Sequence, residues 1–300
     1  MDYVLSLIGN PAEAAVTPDT LIRAIHTLNS EGAVLGKPTT LAQGVAGEVL
    51  FKGLSPERAA KAARAAFAGR RVDVNVLPAE GRRKRLIVAD MDSTIITCEC
   101  LDEIADFAGL KPRIAAITER AMRGELPFEA ALRERVGLLK GLPAATLDQV
   151  YAERVQLMSG ARTLLRTMRA NGAHAVLVSG GFTFFTERVA AAAGFEAQRA
   201  NTLIVKDGAL TGEVGEPILG RDAKRATLDQ WVADNGLSHQ DALAVGDGAN
   251  DLGMIEVAGL GVAYHAKPIV AEAARARIDV GDLTGLLYLQ GYAKSEFVET

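Results

Sequence analysis

Four short stretches of the sequence carry side chains that could handle a small anionic ligand. In the first, Asp90-Met91-Asp92-Ser93-Thr94 follows the apolar run Leu86 to Ala89, so two carboxylates leave the end of a buried strand. While the chain stays extended, positions 90 and 92 face the same side. Such a pair of hard oxygen donors suits Mg²⁺, which keeps waters and takes one or two carboxylates together with a substrate phosphate. Read alone, the fragment could equally cap a helix with one aspartate and expose the other. The second stretch, Gly246-Asp247-Gly248-Ala249-Asn250-Asp251, follows the apolar run Ala242 to Val245 and adds two carboxylates and a carboxamide. Glycines on both sides of Asp247 permit a sharp turn and close backbone approach to a ligand, although a plain polar turn has the same composition.

The third stretch is Ser179-Gly180-Gly181-Phe182-Thr183, after the run Ala175 to Val178, where a hydroxyl and bare amides could hydrogen-bond phosphate oxygens. The fourth is Lys224, near the start of a helix expected to run to about Asn235, where a cation and the helix dipole would act together on an anion. Arg221 and Arg225 are rivals for that role. His26, His174, His239 and His265 are scattered without metal-ligand spacing and are assigned no catalytic part.

The runs at 86–89, 175–178, 242–245 and 260–263 are apolar on both faces, as in the strands of a parallel sheet covered by helices. Between the first two lie mainly helical signals, at Leu101 to Phe107, Phe128 to Leu139 and Leu147 to Arg154. That segment is too long for one crossover, and residues 98–158 are read as a helical cap over the carboxyl ends of the strands, where open α/β sheets bind ligands. Before residue 80 the signals alternate as β-α-β-β-α-β, a ferredoxin-like α+β arrangement. The polar stretch Pro78 to Arg85 has the composition of a solvated boundary.

The whole chain has 300 residues, 49% of them hydrophobic and 23% charged, which is material for a sizeable core and excludes disorder. Its 33 basic and 37 acidic residues leave a net charge of −4, without the basic footprint of a nucleic-acid binder. No apolar run approaches a membrane span and the opening Met1-Asp2-Tyr3 lacks a signal-like start, so a cytoplasmic protein is expected. Cys98 and Cys100 are too close for an unstrained disulfide, and two thiols alone make no zinc site.

DMDST, SGG, a lysine and GDGAND, in this order and at strand ends, resemble the four motifs of the haloacid dehalogenase (HAD) superfamily of phosphotransferases. The likeness runs from 86 to at least 267. Within the superfamily it is similar to the phosphoserine-cleaving group, through VADMDSTIITCECLDEIA, FEAALRERVGLLKGL, VSGGFTFFT, GDGANDLGMI and GLGVAYHAKP. The resemblance implies a Rossmann-like HAD core (81–97 and 159–300) with an inserted helical cap (98–158), preceded by an ACT-like regulatory domain (1–80). It implies Mg²⁺-dependent hydrolysis of O-phospho-L-serine, the final step of serine synthesis, with Asp90 as nucleophile and Asp92 as general acid and base. Mg²⁺ would be held by Asp90, the backbone carbonyl of Asp92 and Asp247, with Asp251 in support. Ser179, Gly180 and Lys224 would bind the phosphate, and Glu99 and Arg135 the ammonium and carboxylate of the amino acid. Asn250 would touch the substrate, with Thr94, Gly181, Met122 and Phe128 supporting the pocket.

A small-molecule substrate is thus expected, with neither nucleic acid nor membrane as a partner. A homodimer and an amino-acid effector at the N-terminal domain are left open. Two other readings stand beside this one: a related phosphatase or phosphotransferase for another small ester, such as phosphothreonine or phosphohomoserine, and an amino-acid sensor with an inert core.

Overall fold

The computed structural model describes residues 1–299 apart from residue 124; the side chains of Met122 and Arg221 lie outside the described residues, and with them the expectation for Met122. The N-terminal unit runs β1 (Tyr3–Ile8), α1 (Pro18–Ser30), β2 (Val34–Ala42), β3 (Ala46–Lys52), α2 (Pro56–Ala66) and β4 (Asp73–Pro78), in an antiparallel sheet of order β2-β3-β1-β4. Thr17 and Ser55 cap α1 and α2 through side-chain acceptors, as their positions before Pro18 and Pro56 suggest.

The second sheet begins with β5 (Leu86–Ala89). Four helices follow, α3 (Cys100–Phe107), α4 (Lys111–Met122), α5 (Phe128–Gly137) and α6 (Ala145–Arg154), and then α7 (Ala161–Ala170) leads back to β6 (His174–Phe182). After α8 (Thr183–Ala193) and β7 (Ala197–Asn201) come a hairpin, β8 (Leu203–Lys206) and β9 (Ala209–Val214), and the helix α9 (Arg221–Asp234). The chain closes through β10 (Ala242–Gly246), α10 (Leu252–Ile255), β11 (Leu260–Tyr264), α11 (Pro268–Ala273), β12 (Ala276–Ile278) and α12 (Gly285–Leu289). Sheet order is β12-β11-β10-β5-β6-β7, with parallel pairing at each step.

This order places β5 between β10 and β6, with Ala89 in register with Val245 and Leu177. The three loops carrying Asp90, Asp247 and Ser179 therefore leave adjacent strands at one edge, the topological switch point at which such sheets bind ligands. Strand β6 runs further than the sequence pattern indicates. Ser179-Gly180-Gly181 lies inside it as a bulge, shown by the register shift between Val178 and Phe182 on β7, rather than as a turn after it.

The two units share a core. Side chains alternate across β1, so Leu5 and Leu7 pack under α1 and α2, while Val4 and Ile8 join one cluster with Leu283, Leu286 and Leu287 around α12. Polar groups close the seam. Asn75 exchanges two 2.9 Å hydrogen bonds with the backbone of Arg277, and the buried Asp73 carboxylate accepts from the amides of Asp279, Val280 and Gly281. The stretch 78–85 is exposed at Pro78, Glu80, Gly81, Arg83 and Arg85, yet three of its cations have partners. Arg82 meets Glu48 with both side chains nearly covered, Lys84 donates to the carbonyls of Gly81 and Gln240 at 2.7 Å, and Arg83 stacks on Tyr292. Composition could not reveal that partners from 48, 240 and 292 wait for these cations.

The hairpin β8–β9 has no clear sequence signal. It packs beside α5 rather than on the sheet, with Gly141 N–H donating to Leu210 O and Leu210 N–H to Leu142 O. Among the described residues, no helix is long and apolar enough to cross a membrane.

Replacing Asp73 with Ala strands three backbone donors in the seam. This is expected to cost about 2–3 kcal/mol of stability, read as a lowered urea midpoint. A change below about 0.5 kcal/mol would show that water replaces the carboxylate at no cost.

Candidate active site

The site is a cavity of about 170 Å³ at the carboxyl edge of the second sheet, between the strand ends and the cap. Asp90, Asp92, Glu99, Phe128, Arg135, Ser179, Gly180, Gly181, Asp247 and Asn250 all line it. Three other expected residues lie behind this wall. Lys224 borders a smaller adjoining recess with Ser179, Gly180 and Asn250, Asp251 is fully buried, and Thr94 is fully buried with a hydroxyl that has no hydrogen-bond partner.

Charge organises the floor. Lys224 Nζ lies 2.6 Å from Asp90 Oδ1 and 2.5 Å from Asp251 Oδ1, all three side chains being almost wholly buried. Asp251 Oδ2 in turn accepts from Gly248 N–H at 3.0 Å, which ties the Asp247 loop to the same carboxylate. Carboxylate oxygens of Asp90, Asp247 and Asp251 all lie within 4.8 Å of one another. Such a cluster of hard oxygen donors fits a divalent cation. Burial and the nearby Asp251 raise the Asp90 carboxyl well above its ordinary range, with Lys224 pulling the other way. Asp247 is raised for the same two reasons, burial and Asp251. Burial opposes charge on Lys224, yet Asp90 and Asp251 outweigh it and hold the ammonium above its usual value. The floor thus has one cation for three carboxylates, and added positive charge would ionise it fully.

Asp92 belongs to a second group. Its Oδ1 accepts from Cys100 N–H at 2.9 Å and its Oδ2 from Ser179 Oγ at 3.0 Å, while burial lifts its carboxyl against these bonds. Ser179 Oγ also accepts from Gly181 N–H at 2.8 Å, an arrangement that the bulge in β6 makes possible. The two aspartates share the cavity but have separate environments, which is how two carboxyls two residues apart acquire different roles.

The cap supplies the opposite wall. Ser93, in the left-handed region at φ 56°, donates to Glu99 Oε1 at 2.6 Å. Burial, with Asp92 adding to it, pushes the Glu99 carboxyl up to about 7. Arg135, on α5, is largely buried and makes long contacts to Ala131 O and Thr118 Oγ1, at 3.2 and 3.5 Å, leaving most of its donors uncommitted. Burial lowers its affinity for its proton, and the carboxylates of Asp102 and Glu99 offset this. Phe128 lies over Gly180, where an added Cβ would sit 3.5 Å from its ring.

Three lining residues carry no chemical signal in the sequence: Leu101, Leu132 and Lys267. Lys267 N–H donates to Asp247 O at 3.0 Å, and its Nζ lies 4.0 Å from Asp247 Oδ2. The string HAKP contributes only to the likeness, with no chemical signal of its own. The glycines around Asp247 also act differently from expectation. A Cβ on Gly246 would fall 2.3 Å from Asp251 Oδ2, and one on Gly248 would fall 2.4 Å from Asn250 Oδ1, so they make room for this loop's own side chains.

Residues 87–256 match the family model described as haloacid dehalogenase-like hydrolase, more than half of the chain. The chain belongs to this hydrolase family. It is 49% identical over 210 residues to the phosphoserine phosphatase of Polaromonas sp., covering 68% of this chain and 89% of that one. Among solved structures, a probable phosphoserine phosphatase from Vibrio cholerae aligns with TM-score 0.78 and 31% identity over 98% of this chain and 88% of the other. A structure of the phospho-aspartyl intermediate analogue of phosphoserine phosphatase aligns with TM-score 0.64 and 40% identity, covering 69% of this chain and 98% of that one. Within the hydrolases, the chain stands with the phosphoserine phosphatases.

Gly246→Ala drives a methyl group into Asp251 and is expected to weaken binding of added Mg²⁺ by about tenfold or more, ~1.4 kcal/mol, in titration calorimetry. Unchanged affinity would mean that the loop holds no cation.

Proposed function

We infer that this hydrolase cleaves O-phospho-L-serine to L-serine and phosphate through an aspartyl-phosphate. The observation that carries the inference is the convergence of a carboxylate pair, a phosphate-sized nest of donors and a Glu99/Arg135 pair in one cavity. The Asp90 carboxylate attacks phosphorus in line while the leaving serine oxygen takes a proton from Asp92. Asp92 then removes a proton from the water that attacks the acyl phosphate, which restores Asp90 and releases phosphate. A carboxyl raised by burial suits the first of these duties.

Ser179 Oγ, the Gly180 amide and Lys224 hold the phosphoryl oxygens and offset their charge. Mg²⁺ would be held by Asp90, Asp247 and the backbone carbonyl of Asp92, with Asp251 in support, and would supply the positive charge that lets a carboxylate approach a phosphate dianion. Glu99 faces the substrate ammonium and Arg135 its carboxylate, one partner for each end of a zwitterion. Asn250 and Phe128 border the ester, and Thr94 and Gly181 support the loops beneath it. The domain division drawn from the sequence, 1–80, a core of 81–97 and 159–300 and a cap of 98–158, is retained as part of this reading.

A cytoplasmic setting is kept as part of this reading, since the sequence holds no cysteine pair spaced for an unstrained disulfide. A homodimer or an amino-acid effector at the N-terminal unit would have to use faces other than the one buried around α12.

Asp90→Asn is expected to abolish both turnover and acid-stable labelling of the protein by phosphoserine; retention of either requires another nucleophile. Arg135→Ala is expected to lower kcat/KM for phosphoserine by about ten- to a hundredfold, the worth of a charge-assisted hydrogen bond, and to spare an aryl phosphate. Equal losses on both esters would remove Arg135 from carboxylate recognition. An ammonium needs ionised Glu99, so KM for phosphoserine should rise as pH falls below about 7. Glu99→Gln should raise KM throughout and flatten that rise; an unaltered profile would assign the titration elsewhere.

A further inference from the structure

A second polar recess, of about 210 Å³, opens at the seam between the N-terminal unit and the edge strand β12. Its wall comprises the end of α2, the following loop and the residues around β12, and it brings together Arg64, Arg70 and Arg277. Two acidic residues line it as well. Asp73 is spent on the amides of 279–281, with both carboxylate oxygens engaged, and Asp279 pairs with Arg277 at 3.2 Å. Among the described residues, neither the Arg64 nor the Arg70 side chain has a hydrogen bond or a carboxylate within 4.0 Å.

A basic residue in the last turn of a helix is favoured by the helix dipole, which accounts for Arg64. It does not account for Arg277, which arrives from the other unit together with Asp279; beyond the effect of burial, the first repels the Arg64 charge and the second attracts it. Arg64 and Arg70 are unpaired among the described residues, Asp73 is spent on backbone amides, and Arg277 engages Asp279 through Nε, so guanidinium groups gathered from two units keep donors for an oxyanion around the recess.

We propose that the recess formed by Arg64, Arg70 and Arg277 binds a phosphate dianion, free or carried on a small ester, at the junction of the two units. Three guanidiniums offer more donors than one carboxylate can accept, which favours phosphate. The site is separate from the catalytic cavity and shares no lining residue with it. Its occupant would bridge α2 to β12, so binding would strengthen the seam that Asp73 and Asn75 hold.

Equilibrium dialysis of the full-length protein with radiolabelled inorganic phosphate tests this, with divalent metal removed to withdraw the positive charge the catalytic floor would use on an anion and with chloride matching ionic strength. One equivalent of bound phosphate is expected. Arg64→Gln with Arg277→Gln should weaken it by tenfold or more, whereas Ser179→Ala, in the catalytic phosphate nest, should leave it unchanged. Arg64→Gln alone, on an exposed helix end where folding is not at issue, should give a partial loss. Displacement by O-phospho-L-serine would assign an esterified ligand, and failure to displace would assign free phosphate. Phosphate affinity unaltered in the double variant, loss caused by Ser179→Ala, or binding no stronger than that of chloride would overturn the proposal.

Discussion

A buried ammonium between two buried carboxylates is the contact on which the second unit is organised. Removing three such charges from water is costly unless each is matched, and Lys224 can match Asp90 and Asp251 only if α9, β5 and the loop after β10 are fixed against one another. The contact imposes the adjacency of β5 and β10, and it requires the glycine at 246, since any side chain there would occupy the space of Asp251. It also leaves the floor short of positive charge. Asp90 and Asp247 hold their protons more tightly than ordinary carboxyls, a condition that costs stability in isolation and that a cation or a substrate-bound ion would relieve.

The same arrangement separates two tasks that similar residues perform. Asp90 is matched by a lysine and lies among carboxylates, whereas Asp92 is matched by neutral donors from Cys100 and Ser179. Burial raises both, but only Asp92 can exchange a proton without breaking an ion pair. The bulge in β6 supports this division, because it turns Ser179 Oγ toward Asp92 while the Gly181 amide donates to that same oxygen.

Much of the site was legible in the sequence because its components are acidic or glycine-rich interruptions after uniformly apolar runs. Asp90, Asp92, Ser179, Asp247 and Asn250 stand at such breaks, and a parallel sheet brings the breaks to one edge. Glu99 and Arg135 became visible only through the family likeness, since a helical insert rich in charges gives no local reason to select them. The hairpin at 203–214 escaped because its strands are short and partly polar and its partner is α5, far away in sequence. Burial of Arg82 and Lys84 was illegible for a related reason: a cation reads as solvated until its acceptor is known, and the acceptors come from Glu48 and Gln240. Lys267 shows the same limit, as one lysine in a polar string whose position beside Asp247 depends on the return of β11.

The way the hairpin grips the cap has a mechanical consequence. Helices α3 to α6 pack with the hairpin, and the chain passes between them and the sheet at two antiparallel contacts, Ile96 opposite Leu157 and Gly215 N–H on Thr202 O, with Cys100 N–H on Asp92 as a further tie. Arg133 with Glu216 and Arg188 with Asp148 clasp the rim of that group from outside. A swing of the group would therefore flex both antiparallel contacts and release both surface clasps, leaving every strand of the catalytic sheet in register.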